Sequence, residues 1–235
     1  MTTPSRISGG TSSSLRASPS SDPGRTANQL AAKVTLTVDP DLIQVRSRLW
    51  VPWARIALKH EVMAEVARQE SQRSKTVMLD RETDAGLVGI CATAFALEAL
   101  SRELIELRVI PPATLTAWAN KPPPAGRYVL EVLKHAVDPK GLVATWKPEL
   151  RWLFDVRRSS VHYQGAFEGW EPHPLGTEVA VTSATYLVEK TSRAVDLLVS
   201  ILERCRDKPK PPAKQWSHDM HRILDELISR RRQAV

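Results

Sequence analysis

The chain has 235 residues, of which 42% are hydrophobic and 25% are charged. This composition fits one globular domain with a sizeable core plus some unstructured length, and it excludes collagen-like, disulfide-stapled and fully disordered chains. Two isolated cysteines, Cys91 and Cys205, favour a reduced, cytoplasmic compartment. The first 25 residues have no apolar stretch of the secretory type. The longest uncharged apolar stretch, 85–97, is too short to cross a bilayer, so we expect no contact with a membrane.

The net charge of +7 is concentrated at the two ends of the chain. Residues 1–33 carry four basic and one acidic side chain, and residues 204–235 carry nine basic and four acidic ones. The segment between them, 34–203, has 20 basic and 21 acidic residues. This near-neutral balance argues against an extended electropositive groove on the core, whereas the basic ends could still hold a polyanion nearby.

The N-terminal segment 1–33 is predicted to be disordered, because Ser, Thr, Gly and Pro dominate it and large apolar side chains are few. The next residues, KVTLTV at 33–38, alternate like a short strand, and the Asp-Pro-Asp sequence at 39–41 is typical of a helix start. A helix is then expected to continue to about Ser74, with Pro52 as a kink or a boundary.

Helical periodicity dominates the middle of the chain. A second helix is predicted over 84–108 and ends before the prolines at 111–112. Its apolar row recurs every three or four residues: Leu87, Ile90, Ala94, Leu97, Ser101 and Leu104. Two short segments follow, the second over 127–137, and another helix is predicted over 147–157.

The last third begins with a Gly- and Pro-rich connector at 164–176. The longest periodic segment follows at 177–205, although its first part (EVAVTSATYLV) is β-branched enough to leave a strand open as an alternative. A Pro- and Lys-rich linker at 206–214 then precedes an amphipathic C-terminal helix at 215–235. Together the elements predict an all-α, up-and-down helical bundle whose main domain spans 34–205.

Few residues in this chain carry recognisable chemistry. It has no phosphate-binding Gly loop, nucleophile elbow, paired-Cys motif or EF-hand loop. His218 and His221 lie three apart, but two histidines alone make a poor metal site, so we expect no metal and no cofactor. The remaining candidates are Arg157 and His162, which lie where a helix leads into the connector. Should the helix continue, Arg158 and His162 would share a face at i,i+4, and in either case an Arg and a His can converge.

The segment that contains this pair, LFDVRRSSVHYQG, resembles the R-x4-6-H signature of HEPN domains (higher eukaryote and prokaryote nucleotide-binding). The upstream helix GICATAFALEALSREL is similar to the second helix of such domains, and the resemblance covers roughly 84–205. It implies a HEPN-like helical bundle that forms a homodimer and brings two Arg–His pairs together. In active members this makes a metal-independent endoribonuclease of toxin, phage-defence or RNA-processing systems. The implied partners are RNA and, for a toxin, a cognate antitoxin.

The chemistry of RNA cleavage agrees with these residue types. His162 is the candidate for proton transfer, because imidazole titrates near neutral pH, and Arg157 is the candidate for binding the phosphate. Arg158 stands where the family often has a small polar residue. Its guanidinium could add phosphate affinity, but its like charge would disfavour protonation of His162. Glu98 is a candidate partner that orients Arg157, and the alternative is an acid at the solvated rim of an amphipathic helix.

Other interpretations stay open at this point. Arg157 and His162 could cap a helix C-terminus, where cations are favoured by about 0.3–1 kcal/mol. Trp146, Trp152 and Trp170 lie near the motif and could stack on bases or occupy the core. The chain could also be a non-catalytic helical module that binds RNA, a nucleotide or a protein. A regulator that uses the basic C-terminal helix on DNA is a further alternative, although no recognition-helix signature supports it.

Overall fold

A computed structural model describes residues 48–71, 78–138, 140–161 and 169–234 of the chain. Most of these residues are helical, so the all-α prediction is confirmed at the level of fold class. The elements in chain order are α1 (Trp50–Ser71), α2 (Met78–Glu106), α3 (Pro112–Asn120), α4 (Ala125–Ala136), α5 (Val143–Val161), β1 (Trp170–Pro172), β2 (Glu178–Ala180), α6 (Val181–Ala184), α7 (Val188–Asp207) and α8 (Pro211–Ala234).

Several predicted features lie outside the described residues. These are the disordered segment 1–33, the strand at 33–38, the helix start at 39–41 and His162. The described chain begins again at Gly169, so the first part of the predicted connector also falls outside.

Helix α2 is the central element of the bundle and packs against α1, α4, α5 and α7. Its predicted apolar row is buried from Ile90 to Leu104. The helix begins at Met78, earlier than the predicted Asp84, because the turn before the apolar row is itself anchored in the bundle through the buried Glu82.

Two glycines allow close approaches between these elements. A Cβ atom on Gly86 of α2 would lie 1.7 Å from the carbonyl oxygen of Tyr186, in the turn before α7. A Cβ atom on Gly126 of α4 would lie 2.9 Å from the carbonyl oxygen of Leu150 on α5. Both distances are too short for any Cβ atom. Glycine at position 126 therefore allows the close packing of α4 on α5, and glycine at position 86 allows the close packing of α2 on the turn before α7.

Helix α5 is longer than predicted at both ends. It begins at Val143, and Pro148 lies inside its second turn rather than at its start. The ring of Pro148 removes one backbone donor, but Trp146 and Leu150 on either side are buried, and this packing keeps the segment helical. The helix also continues past Arg157 to Val161, the residue that precedes His162.

The prediction of one continuous helix from 177 is wrong for its first residues. Residues 178–180 form β2, which pairs antiparallel with β1 through Trp170↔Ala180, Glu171↔Val179 and Pro172↔Glu178. The strand alternative is therefore correct for this short stretch, where the β-branched Val179 is buried. Regular α7 starts at Val188.

The C-terminal helix belongs to the bundle. Helix α8 packs against α7, α1 and α4, and its side chains Met220, Leu224 and Leu227 are buried. The linker is shorter than the predicted 206–214, because α7 continues to Asp207 and α8 starts at Pro211. Proline is well tolerated in the first turn of a helix, because a backbone N–H at that position has no acceptor within the helix. Backbone hydrogen bonds also tie the linker to the end of α4: the N–H of Asp138 donates to Lys208 (2.9 Å) and that of Lys210 to Ala136 (2.9 Å).

A buried polar cluster joins α1, α2, the β-hairpin and α7. The carboxylate of Glu82 accepts hydrogen bonds from Arg68 and from the backbone N–H of Val188 (3.0 Å). His173 Nε2 lies 3.3 Å from the second oxygen of Glu82, and His173 Nδ1 accepts the N–H of Leu175 (3.1 Å). Since Nδ1 accepts a hydrogen bond, the ring proton is on Nε2, and the Nε2–H group donates a hydrogen bond to Glu82. His173 is therefore a structural residue that anchors the hairpin.

Among the described helices, one stretch of 28 residues, Leu79–Glu106, is long and apolar enough to cross a membrane. This stretch coincides with most of α2, and 56% of an apolar 18-residue segment within it is buried inside the bundle. The central helix of a helical bundle has the same composition, so the cytoplasmic location stays a prediction.

Candidate functional site

Arg157 lies near the end of α5 and faces α2. Its Nη2 atom is 3.7 Å from Oε2 of Glu98, and its Cζ atom is 4.8 Å from the ring centroid of Phe95. Ser160 donates a hydrogen bond to the carbonyl of Arg157 (2.7 Å) and lies 3.3 Å from the sulfur of Cys91. Cys91, Phe95 and Glu98 are spaced by four and three residues and so lie on one face of α2. This face holds the last turns of α5 in place.

The guanidinium of Arg157 is held in place by its neighbours, but not all of its N–H groups donate hydrogen bonds to them. At 3.7 Å the contact with Glu98 is an ion pair and not a hydrogen bond. The Nε atom of Arg157 is buried and has no hydrogen-bond partner among the described residues, while 30% of the side chain is exposed. Glu98 also accepts a hydrogen bond from Arg102 (2.9 Å). Arg157 therefore has a fixed orientation and N–H groups left to bind an anion.

The first of two cavities at Arg157 lies between α1, α2 and α5 and has a volume of about 460 Å³. We call it the aromatic cavity, because the rings of Trp53 and Phe95 form part of its wall with centroids 4.9 Å apart. Its described lining is Leu49, Trp53, Phe95, Glu98, Ala99, Arg102, Glu103, Glu106 and Arg157. The cavity thus combines flat apolar surface with charges of both signs.

The second cavity is a groove of about 1330 Å³ between α4 and α5. We call it the basic groove, because six basic and two acidic side chains of the described residues line it. The basic ones are Arg127, Lys134, Lys147, Arg151, Arg157 and Arg158, and the acidic ones are Glu131 and Asp155. The groove follows α5 from Val143 to Val161 and contains both arginines of the motif.

This groove corrects the expectation that the core carries no electropositive surface. The sum of charges over 34–203 is nearly zero, but the bundle gathers basic side chains on one surface. Lys147, Arg151 and Arg158 recur on α5 at intervals of four and seven residues, and Arg127 and Lys134 of α4 face them across the groove. In the described part of the chain, Arg127 and Lys147 form no ion pair with a carboxylate.

The predicted site residues have different positions in the structure. Arg157 and Glu98 form an ion pair between α5 and α2. Arg158 is exposed, lines the basic groove and pairs with Asp155 of its own helix (2.8 Å). His162 lies outside the described residues, directly after Val161.

The predicted absence of a metal site concerns two histidines on α8. His221 Nε2 lies 3.0 Å from Asp225 one turn later, as an ordinary i,i+4 pair. Within the described residues no group of three or more His, Cys, Asp or Glu side chains could hold an ion.

The three tryptophans that were candidates for base stacking also differ. Trp146 is buried and donates to Ser200 (3.3 Å), and Trp152 lies under the guanidinium of Arg193 (4.2 Å). Trp170 in β1 is 70% exposed and is the most exposed of these three tryptophans. Sequence reasoning did not identify Trp53, because its partner Phe95 is on another helix.

Comparison with known proteins gives no match: no family model matches the sequence, no curated protein matches it, and no solved structure matches the chain. The HEPN resemblance therefore rests on the motif and its flanking helices.

Proposed function

We propose that this chain is a HEPN-like, metal-independent endoribonuclease whose working pair is Arg157 and His162. One observation carries the proposal: the basic groove runs along α5 as far as Val161 and contains both arginines of the motif, and His162 follows Val161 in the sequence. RNA binding draws on positive charge along a groove that follows the phosphate backbone. The proposal places the scissile phosphate at Arg157 and assigns proton transfer to His162, five residues later in the sequence.

The reaction needs only groups that this chain can supply. A base removes the proton of a ribose 2′-OH, the oxygen attacks the adjacent phosphorus, and the 5′-oxygen leaves with a proton, which gives a 2′,3′-cyclic phosphate and a 5′-OH end. His162 would transfer the proton, and the Arg157 guanidinium would stabilise the negative charge on the crowded phosphorus. Glu98 and Phe95 are positioning residues, because they hold Arg157 without reaching the phosphate.

The proposal includes a homodimer. One Arg–His pair offers one proton-transferring group, whereas the reaction uses both a base and an acid. Two copies would bring two pairs together and supply both. The resemblance also supports a cytoplasmic toxin or phage-defence role, in which a cognate antitoxin would control the activity.

A second candidate function has its own supporting observation. Arg157 is held by Glu98 and Phe95, and Arg158 pairs with Asp155, so part of the positive charge of the motif is already neutralised. This arrangement favours a non-catalytic HEPN-like module that binds RNA or a nucleotide in the basic groove.

Cleavage of RNA in the presence of a chelator separates the two candidates. The purified full-length chain is incubated in EDTA with labelled random-sequence RNA, and the product ends are analysed. The endoribonuclease predicts 2′,3′-cyclic phosphate ends that disappear in Arg157→Ala but persist in the control Arg222→Ala, an exposed arginine of α8. RNA binding without cleavage supports the module, and the absence of both contradicts the two candidates.

A further inference from the structure

The aromatic cavity adjoins the basic groove at one shared residue. Arg157 lines both, with the groove on the α4 side and the cavity on the α1 side. A nucleotide whose phosphate contacts Arg157 from the groove can therefore extend its base into the cavity. A volume of about 460 Å³ lies within the usual range of small-ligand pockets and exceeds the size of one base.

The walls of the cavity match the two kinds of surface on a nucleobase. Trp53 and Phe95 supply aromatic rings, against which unstacked bases in protein–RNA complexes commonly lie. Leu49 and Ala99 add apolar surface. The charged part of the wall consists of three carboxylates and two guanidinium groups. The carboxylates accept hydrogen bonds and so favour a base edge that donates them.

Three carboxylates line the cavity, Glu98, Glu103 and Glu106, and Glu98 is the one that contacts Arg157, the residue shared with the basic groove. Glu103 is already occupied, because it accepts a hydrogen bond from Trp216 Nε1 (2.8 Å) and lies 3.8 Å from Arg48. Glu98 accepts one hydrogen bond from the side chain of Arg102, and among the described residues its other oxygen has only the 3.7 Å contact with Arg157. Glu98 thus keeps acceptor capacity toward the cavity.

We infer that the aromatic cavity is a guanine subsite and that Glu98 recognises the base. Guanine presents two parallel donors, N1–H and the 2-amino group, which match the two oxygens of a carboxylate. Adenine and cytosine offer one amino donor on that edge, and uracil offers one ring N–H. The inference rests on the proposed function, since the guanine would belong to an RNA held in the basic groove.

Titration calorimetry with free nucleotides tests the subsite on the full-length chain. We expect GMP to bind at least about fivefold more tightly than AMP, the discrimination typical of a paired hydrogen bond. IMP, which keeps N1–H but lacks the 2-amino group, should lie between them. Equal affinities of GMP and AMP would overturn the inference.

Variants separate base recognition from the positioning of Arg157. Glu98→Gln should bring the affinities of GMP and AMP to within about twofold of each other, because an amide cannot accept both donors. Glu149→Gln is the matched control, since Glu149 also pairs with an arginine (Arg193, 2.9 Å) but lies outside both cavities. If Glu98→Gln weakens all three nucleotides equally, Glu98 only positions Arg157 and the subsite is refuted.

A cleavage map distinguishes failure of the subsite from failure of the proposed function. If random-sequence RNA is cut without preference for guanine next to the cut, the endoribonuclease proposal is supported and the guanine subsite is refuted. If RNA is not cut but GMP selectivity depends on Glu98, the guanine subsite is supported and the catalytic proposal is refuted. Circular dichroism of each variant confirms that it is folded.

Discussion

Arg157 on α5 and Glu98 on α2 form an ion pair with Nη2 3.7 Å from Oε2, and the guanidinium of the same arginine lies over the ring of Phe95. This contact joins two helices that are distant in sequence, and it fixes the arginine at the junction of the aromatic cavity and the basic groove.

The Glu98–Arg157 pair should contribute a small but measurable coupling to stability. The two side chains are 26% and 30% exposed, so a double-mutant cycle with Glu98→Gln and Arg157→Gln should give about 0.5–1 kcal/mol in urea unfolding. Glu70 and Arg81 are a matched control, because they lie at the same 3.7 Å separation but are more exposed. A coupling no larger than that of the control pair would show that Glu98 does not hold Arg157.

The basic groove should account for the salt dependence of RNA binding. Arg127→Gln combined with Lys147→Gln removes two unpaired charges from the groove, so the slope of log K against log salt concentration should become shallower by about 1.4 for single-stranded RNA. The control combines Arg222→Gln with Lys214→Gln on α8 and has the same loss of charge. If both double variants change the slope equally, the RNA does not lie in the groove.

The carboxylate of Glu82 should be essential for stability. Glu82 is fully buried and accepts hydrogen bonds from Arg68, His173 and the backbone of Val188. Arg68 keeps Glu189 as a second carboxylate partner, but Glu82→Gln places an amide NH2 group where these buried donors need an acceptor. We expect a loss of about 2 kcal/mol in the free energy of unfolding. Glu149→Gln should cost less, because the Glu149 side chain is 23% exposed and pairs with an arginine that is 40% exposed. A loss below about 1 kcal/mol for Glu82→Gln would contradict the anchoring role of this cluster.

The two cysteines should differ strongly in reactivity. Burial raises the pKa of the Cys205 thiol to about 12, so almost no thiolate exists at pH 8. Cys91 is partly exposed beside Ser160 and should be alkylated first by iodoacetamide, as followed by mass spectrometry. The raised pKa of Cys205 also means that its contribution to stability is complete below the ordinary thiol pKa and is lost as the pH rises toward 12. Equal alkylation rates at pH 8 in the folded chain would contradict the burial of Cys205.

The sequence was most informative where periodicity is strong. The apolar row of α2 predicted the central helix and its buried face, since spacings of three and four residues define one side of a helix. The start of that helix was missed, because the anchor at Glu82 depends on Arg68, His173 and Val188 from three other parts of the chain. The short strand β2 was ambiguous for a related reason: its β-branched residues fit either structure until β1 is placed beside it.

The candidate site could be predicted only in part. The motif pointed to Arg157, and a carboxylate inside an alanine-rich helix pointed to Glu98 as its partner. The basic groove was missed, because net charge over a segment carries no information on where the side chains gather in space. A count along helix faces would have shown the basic spacing at Lys147, Arg151 and Arg158.

Single-turnover cleavage of RNA in EDTA by His162→Ala is the most direct test of proton transfer by His162. We expect at least about a hundredfold loss of the cleavage rate, the usual contribution of a general acid or base, with RNA affinity unchanged. The control His218→Ala, an exposed histidine of α8, should cleave like the unmodified chain. Cleavage by His162→Ala at the unmodified rate would show that His162 does not transfer the proton.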